Sequence, residues 1–266
     1  MALVRTEPVR PHVTAIVLDN PSRLNSLSFA LVEDLYRALA TVAEDNDCWV
    51  AVLTGEGRAF CSGLELEHAG LPPGAETLGR HRMGMRAMEY MGGIVPAMRA
   101  IPQPLVAAIR GPAYGGGMCL SLGADVRLAG ESAVFCGAGI SNGLSGCELG
   151  VSWLLPRAVG TSNSAEILLT GRKVDAAEAL RLGLVSRVVP DDDVLDEAVA
   201  MAGRMCEFSP FGLALTKETM WASLEVGSLQ AAVAFENRTQ LLAGATGNLQ
   251  EASAAFREKR LPVYSE

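Results

Sequence analysis

Three consecutive glycines follow a short apolar run and a Gly-Pro turn. Residues 105–109 have the length and composition of a buried strand, and Gly115-Gly116-Gly117 opens a second apolar segment at residues 118–122. Glycines let backbone N–H groups approach a ligand closely, and a helix N-terminus adds unpaired donors and a positive dipole. The pattern is suited to stabilising a developing negative charge, although an isolated Gly-rich turn more often only packs a strand against a helix.

A second strand-like run, residues 49–54, also ends in a turn punctuated by glycines, at residues 55–66. Two junctions of this kind, each offering one backbone N–H, meet the requirement of an oxyanion hole. Neither turn has the GxxxxGK[ST] spacing of a phosphate loop or a GxGxxG fingerprint. Nucleotide hydrolysis and dinucleotide binding are therefore disfavoured.

These turns belong to a set of segments that resembles the crotonase family, also called the enoyl-CoA hydratase/isomerase family. The segments that carry the resemblance are spread along nearly the whole chain, at 18–28, 53–63, 115–125, 154–160, 169–172, 183–185 and 255–260. The resemblance implies an α/β fold of repeated ββα units wound as a spiral. It also implies a coenzyme A thioester as substrate, no resident cofactor, and the backbone N–H groups of Leu64 and Gly116 as the donors to the thioester oxygen.

The acids of the family's hydratases are missing. Those enzymes carry one glutamate three residues after the oxyanion glycine, where this chain has Cys119, and a second one further along, where it has Gly139 or Ile140. None of these side chains transfers protons as a glutamate does. The sequence therefore argues against two-glutamate hydration.

Glu148 lies where the family's dienoyl-CoA isomerases, by resemblance, carry a proton-moving acid. One carboxylate suffices for an isomerase, because it can take a proton from one carbon and return it to another. The alternative is a surface carboxylate, or a charge at the N-terminus of a helix over residues 151–155. We expect Glu148 to be the principal proton-transfer group.

Contacts with coenzyme A are expected at three separated places in the chain. The matching residues are Arg23 and Leu24 in the N-terminal segment, Ser62, Gly63, Glu65 and Leu66 around the first turn, and Lys259 and Arg260 in the tail. In relatives the tail reaches the coenzyme A of a neighbouring subunit. The alternative for the cations is a solvated loop charge and a solvated helix end.

The expected activity is that of an enoyl-CoA isomerase or hydratase acting through a thioester enolate, with isomerisation favoured. A second hypothesis is a non-catalytic acyl-CoA-binding protein that has lost the usual acids. A Ser/His/Asp hydrolase is a weaker alternative, because Ser62 and Ser145 sit in Gly-rich turns but belong to no GxSxG elbow. The methionines between residues 83 and 98 are expected to form a helix core or one wall of an acyl pocket.

Composition limits the partners and the compartment. The chain has 266 residues, 49% of them hydrophobic, and a formal net charge of -8, which argues against nucleic acid as a partner. Charged residues within the first fourteen positions and the absence of a long apolar run predict no membrane span and a cytoplasmic protein. Six scattered cysteines without a CxxC pair give no support for a metal site.

The elements that must position these residues follow from hydrophobic periodicity. Strands alternate with helices as far as Gly160, and the remainder is mostly helical. We expect a helix capped by Ser28, one long helix over 79–100, a capping box of Asp175 with Glu178, and a helix capped by Ser209. The predicted organisation is an acyl-CoA-binding core at 1–200 and a C-terminal helical trimerisation region at 201–266. Family resemblance implies a homotrimer or a dimer of trimers.

Overall fold

The computed structural model describes residues 2–264, whose strands form two sheets. The strands are β1 Val4–Arg10, β2 Val13–Leu18, β3 Val50–Gly55, β4 Leu105–Ile109, β5 Pro112–Tyr114, β6 Val126–Gly130, β7 Val134–Cys136, β8 Lys173–Asp175 and β9 Arg187–Val189. One sheet has the order β1-β2-β3-β4-β6-β9 and the other has the order β5-β7-β8. Because β4 with β5, and β6 with β7, place one strand in each sheet before a helix follows, the predicted spiral of ββα units is confirmed.

The helices surround these sheets and then continue alone to the end of the described chain. They are α1 Phe29–Glu44, α2 Arg80–Gly92, α3 Ile94–Ala100, α4 Gly116–Gly123, α5 Val151–Val159, α6 Thr161–Thr170, α7 Ala176–Leu182, α8 Val194–Met205, α9 Pro210–Ser223, α10 Leu229–Gly244 and α11 Asn248–Glu258. Within residues 2–264, no helix combines the length and apolarity that crossing a bilayer requires.

The central strands of the larger sheet are apolar on both faces, because helices cover both of them. In β3, Ala51 and Leu53 face the main core, while Val50 and Val52 face α8 on the other side. The pairs β2-β3, β3-β4, β4-β6 and β6-β9 are parallel. This burial explains why the strands appear in the sequence as unbroken apolar runs instead of alternating patterns.

The expected helix caps form as side-chain hydrogen bonds. Ser28 accepts from the backbone N–H of Leu31 at 3.2 Å, and Ser209 accepts from that of Gly212 at 3.1 Å. Asp175 caps α7 in the same way, but the capping box is only half formed. The Glu178 carboxylate binds Arg172 at 2.8 Å instead of returning to the backbone of the cap.

The prediction of one helix over 79–100 is wrong, because the structure divides it into α2 and α3 at Gly93. The Tyr36 hydroxyl donates to the carbonyl of Tyr90 at 2.9 Å, which is the acceptor that an uninterrupted helix would offer to Ile94. A Cβ at Gly93 would lie 2.6 Å from that hydroxyl. The break is therefore fixed by a tyrosine from α1.

The predicted division after residue 200 falls within α8, which packs on the larger sheet. Beyond α8, helices α9 to α11 are mostly exposed, and none of the residues of α10 is buried. Large apolar side chains stand exposed along this part of the chain, including Leu229, Leu241 and Phe256. Its role in forming a trimer remains a prediction.

Candidate active site

The two Gly-rich turns lie against each other at the carboxyl ends of β3 and β4. The Cys61 N–H donates to the carbonyl of Pro112 at 3.1 Å, and the Tyr114 N–H donates to the carbonyl of Cys61 at 3.0 Å. These bonds pair the first turn with β5 in a parallel bridge. The structure thus brings together the two junctions that the sequence singled out.

Close contact between the turns requires glycine on both sides. Gly63 has φ +93°, and a Cβ there would lie 2.6 Å from the carbonyl oxygen of Tyr114 and 3.5 Å from the amide nitrogen of Gly116. A Cβ at Gly117 would lie 2.1 Å from the carbonyl oxygen of Cys61. No side chain fits at either place, so the spacing of glycines in the sequence reflects backbone contact.

The N–H groups of Leu64 and Gly116 are the unpaired donors of this contact. Leu27 donates to the carbonyl of Gly63 at 2.7 Å and accepts from the N–H of Glu65 at 3.1 Å, which turns the Leu64 N–H away from Leu27. Gly116 is the first residue of α4, where N–H groups lack helical acceptors. Within residues 2–264 neither N–H donates a hydrogen bond. Both remain available to a ligand oxygen.

The Glu148 carboxylate lies at the same turn. Its Oε1 is 3.1 Å from the position that a Cβ at Gly115 would occupy. The side chain is half-buried, and among the described residues it has no hydrogen-bonding or ion-pairing partner. Burial raises the pKa of Glu148 above its ordinary value of 4.5. A carboxylate with a raised pKa is a suitable proton carrier near neutral pH.

A left-handed turn aims Glu148 at the glycines. Leu149 has φ 45° and Gly150 has φ 86°, immediately before α5 begins at Val151. A left-handed leucine costs on the order of 1 kcal/mol, so its surroundings must enforce it. The Leu149 side chain packs toward Gly116, with Cδ2 3.8 Å from the position of a Cβ there. Sequence reasoning missed Leu149, for which Gly150 was the only local signal.

The position of the first family glutamate is closed and apolar. Cys119 is buried, and its Sγ donates to the backbone carbonyl of Glu148 at 3.5 Å. Burial raises the pKa of the Cys119 thiol well above its usual range, and burial raises the pKa of the neighbouring Cys61 to about 12. Both thiols are therefore protonated near neutral pH and supply no base.

Neither residue at the position of the second family glutamate is a carboxylate, and at Gly139 no side chain fits. A Cβ at Gly139 would lie 2.4 Å from the carbonyl oxygen of Ser145. The Ile140 side chain lies beside Gly171 at the end of α6, where its Cγ2 is 2.9 Å from the place of a Cβ. Glu148 is thus the carboxylate that the structure places beside Gly115 in the second turn.

Most of the predicted coenzyme A contacts line one surface cleft of about 460 Å³. Its lining includes Arg23, Leu24, Ser62, Leu64, Glu65 and Leu66. Gly63, the remaining residue of that loop, is buried beneath it in contact with Tyr114. The sequence segments around 23 and 64 are therefore neighbours in space.

Glu65 organises the polar side of this cleft. Its carboxylate accepts from the Ser26 hydroxyl at 2.7 Å and lies 3.8 Å from the Arg23 guanidinium. The Ser26 hydrogen bond, followed by the charge of Arg23, lowers the pKa of Glu65 below its ordinary value. Arg23 also lies 3.0 Å from the His68 ring nitrogen and is about half exposed. The guanidinium is thus held at the cleft.

The predicted tail contacts are elsewhere. Lys259 follows the last turn of α11, and Arg260 is ion-paired with Glu251 at 2.5 Å and with Glu258 at 2.6 Å. Neither Lys259 nor Arg260 lines the cleft at Arg23. A single chain does not bring the tail to this site.

Asn25 is the positioning residue that sequence reasoning passed over. It is fully buried with φ 54°, and its amide nitrogen donates to the carbonyls of Ala59 at 2.8 Å and Phe60 at 3.2 Å. These bonds hold the loop that carries Arg23 against the turn that carries Leu64. Asparagine tolerates left-handed backbone better than most residues, which was the available signal.

The structure also bears on the hydrolase hypothesis and on the methionine-rich stretch. Within the described part of the chain, neither Ser62 nor Ser145 hydrogen-bonds a histidine, so no hydrolase dyad is assembled.

Among the methionines, Met91 and Met98 are buried in the core, whereas Met85 and Met88 are each 63% exposed. The stretch is therefore core on one face and solvent-facing on another.

Comparison with known proteins identifies the family. Residues 10–266 match the model of the enoyl-CoA hydratase/isomerase family. A probable enoyl-CoA hydratase of Mycobacterium bovis is 47% identical over all of this chain and 94% of its own length. A probable enoyl-CoA hydratase/isomerase of Mycobacterium abscessus superposes with a TM-score of 0.93 at 41% identity, over 98% of this chain and 97% of the other.

A monofunctional enoyl-CoA isomerase of M. smegmatis is also similar. It superposes with a TM-score of 0.75 at 43% identity, over 88% of this chain and 99% of the other. The match to the M. bovis protein covers the whole chain and so includes every segment that carries the resemblance. The chain therefore belongs to the enoyl-CoA hydratase/isomerase family.

Proposed function

We propose that this family member is an enoyl-CoA isomerase, which moves a carbon–carbon double bond by carrying a proton on Glu148. The observation that carries the proposal is the isolation of that carboxylate. It is half-buried, its pKa is raised, and it touches the turn whose N–H groups are free. A proton carrier beside an anion-stabilising pair of donors is the machinery of an enolate reaction.

The reaction begins with the thioester oxygen held by the N–H groups of Leu64 and Gly116. Glu148 removes a proton from one carbon next to the double bond, and the electron pair moves toward the oxygen to give a dienolate. Each donor supplies about 3 kcal/mol to such an oxyanion. The carboxylic acid so formed returns the proton to the far carbon, which regenerates the thioester and shifts the double bond.

Hydration makes a larger demand, because a water molecule must be activated and added while the enolate carbon is protonated. The two usual acid positions hold the protonated thiol of Cys119 and either Gly139 or Ile140, and none of these residues activates water. A single carboxylate meets the needs of a proton shuttle. The presence of one proton-carrying carboxylate instead of two therefore favours isomerisation over hydration.

The cleft at Arg23 would take the nucleotide part of coenzyme A, with no resident cofactor. A protein of net charge -8 must gather cations locally to bind phosphates, and Arg23 stands at this cleft. Copies of the chain would meet through the exposed apolar side chains of α9 to α11 and form a homotrimer or a dimer of trimers. Lys259 and Arg260 would then serve a neighbouring copy.

One observation favours a second candidate, a non-catalytic acyl-CoA-binding protein. Both usual acid positions are empty, and the oxyanion turns would remain useful for holding a thioester. Such a protein would bind enoyl-CoA esters tightly and leave them unchanged. Glu148 would then be a buried charge with no task.

A panel of 2-enoyl-, 3-enoyl- and dienoyl-CoA esters, followed by mass spectrometry in deuterated water, tests the proposal. Isomerisation predicts a shifted double bond without the mass of an added water, with deuterium incorporated to the extent that the Glu148 proton exchanges with solvent before it is returned. Hydrated product in preference to isomerised product would contradict it. Saturable binding of every ester with no chemical change would favour the second candidate.

A further inference from the structure

Helix α9 attaches to the core in an unusual way, because its one buried residue is a lysine. Lys217 is 5% exposed, whereas the apolar residues Phe211 and Met220 of the same helix are 37% and 46% exposed. Lysine is rarely buried unless it is paired. The contact of α9 with the core is therefore polar at its centre.

The Lys217 ammonium has three acceptors. Its Nζ lies 3.1 Å from the carboxylate of Asp125, 2.9 Å from the carbonyl oxygen of Gln103 and 3.4 Å from that of Met98. The Trp221 indole, one helical turn further along α9, donates to the other oxygen of Asp125 at 2.6 Å. Every donor of the ammonium is used, which is the condition under which a buried ion is tolerated.

Asp125 in turn joins the C-terminal end of α4, the helix that begins at Gly116, to the start of β4. Its carboxylate accepts from the N–H of Leu105 at 2.7 Å, and its own N–H donates to the carbonyl of Leu105 at 2.8 Å. Leu105 is the first residue of β4, and Asp125 directly follows α4 and its cap. Helix α4 has eight residues, so the contact between Asp125 and Leu105 lies about 12 Å from Gly116 along the helix axis. We call Leu105, Asp125, Lys217 and Trp221 the Asp125 clasp.

Two further cations face the clasp without joining it. Arg99 lies over the Trp221 ring, 3.2 Å from its centroid, and its buried Nε and one terminal nitrogen have no partner among the described residues. Arg127 donates to the carbonyls of Leu184 and Ala124. Without Lys217, the unpaired N–H groups of Arg99 would compete for the Asp125 carboxylate and draw it from Leu105.

We propose that Lys217 is a positioning residue for the reaction: through the Asp125 clasp it fixes β4 relative to α4 and thereby holds the Gly116 N–H at the thioester oxygen. The proposal rests on the proposed function of Gly116 and adds α9 to the parts that the active site needs. Displacements of about 1 Å at a reacting centre can cost on the order of a hundredfold in rate. The coenzyme A cleft at Arg23 contains no residue of the clasp.

The test compares Lys217→Met with Thr219→Val in the full chain. Thr219 bonds Thr239 across α9 and α10 at 3.1 Å, so its loss perturbs α9 without touching the clasp. For Lys217→Met we expect kcat for the isomerised ester to fall about tenfold to a hundredfold, with KM within about twofold. Amide hydrogens of residues 105–109 and 119–123 should exchange faster. Thr219→Val should leave kcat and this exchange unchanged.

Trp221→Phe provides a second test if Lys217→Met does not fold, because it removes one donor to Asp125 and keeps a ring over which Arg99 can lie. It should lower kcat less than Lys217→Met does and speed the same amides. The proposal is overturned if both variants melt at lower temperature while kcat and exchange in α4 stay at parent values. If the parent chain turns over no ester, the proposed function fails, and the exchange data still decide whether the clasp holds α4.

Discussion

Two partly buried carboxylates flank the paired turns, and their surroundings differ. Glu65 follows the first turn and is bonded by the Ser26 hydroxyl and the Arg23 guanidinium. Glu148 approaches the second turn and has no such partner among the described residues. The pKa of Glu65 is lowered by its hydrogen bond and neighbouring charge, whereas burial raises the pKa of Glu148.

The difference assigns opposite tasks to the same chemical group. A carboxylate that is held ionised by Ser26 and Arg23 can shape a binding cleft but cannot exchange protons near neutral pH. A carboxylate with no partner and a raised pKa can do so. In the proposed function, Glu65 with Ser26 and Arg23 forms a binding wall and Glu148 forms a reacting wall. Each of the following substitutions perturbs one wall or the backbone donor that lies between them.

Gly116→Pro should have the largest effect, because it removes one of the two backbone N–H groups proposed to hold the thioester oxygen. Proline is tolerated at the first position of a helix, so α4 should still form. We expect kcat to fall about a hundredfold to a thousandfold in steady-state assays. Gly116→Ala is the matched control, since it keeps the N–H and adds a Cβ 2.6 Å from Cδ1 of the buried Leu27 side chain, which must shift slightly. Equal losses in the two variants would show that space, and not the donor, matters.

Glu148→Gln should cut isomerisation by at least about a hundredfold while coenzyme A ester binding persists. The amide keeps the shape of the side chain and removes its basicity. Glu65→Gln is the counterpart on the other wall and should change kcat by less than about threefold, with its main effect on KM. If the Glu148→Gln variant exchanges substrate Cγ protons with solvent as fast as the parent, Glu148 is not the base.

The pH dependence should follow Glu148 and not Glu65. A general base acts when ionised, so kcat/KM should rise with pH as Glu148 loses its proton, at a pH above the ordinary value of 4.5. The measurement is a pH–rate profile of the parent and of Glu65→Gln. The same inflection is expected in both, and a shift of the inflection in Glu65→Gln would mean that the two walls are coupled.

Arg23→Ala should weaken coenzyme A binding about threefold to tenfold at low salt, since a half-exposed cation contributes modestly to phosphate binding. Titration calorimetry with free coenzyme A measures this directly. Arg86→Ala on the exposed face of α2 is the charge-matched control. Unchanged affinity in Arg23→Ala would remove Arg23 from the binding wall.

The smallest effect concerns stability. Because burial raises the pKa of Glu148 in the folded chain, the folded chain binds this proton more tightly than the unfolded chain does. The free energy of unfolding therefore falls as pH rises from the unfolded pKa through the folded pKa. Glu148→Gln should melt at a higher temperature than the parent at pH 7 and at nearly the same temperature at pH 4. A lower melting temperature at pH 7 would show that Glu148 has a stabilising partner.

The two Gly-rich turns could be predicted from the sequence, whereas most of the residues that position them could not. Gly63 and Gly117 could be found because close backbone contact leaves no alternative to glycine, and local patterns record that constraint. The left-handed backbone of Leu149 was missed, since it is enforced by tertiary packing and Gly150 is its only local signal.

The packing of helix α9 is a second feature that local sequence patterns could not predict. Leu213, Leu215 and Met220 are apolar residues of this helix, yet none of them is buried, whereas Lys217 is. A lysine on a helix is usually solvated, and its partner Asp125 lies far away in the sequence. Pairing across such a distance has no signature within a sequence window.

The Asp125 clasp also bears on the order in which the chain folds during synthesis. Lys217 and Trp221 lie 114 residues after Gln103 and 96 residues after Asp125, respectively, so they leave the ribosome long after the strands that they fasten. Until then the Asp125 carboxylate must either stay hydrated or bind the arginines beside it. The sheet can therefore assemble early, while the final position of β4 relative to α4 is set only when α9 docks. Contacts of such large sequence separation form slowly.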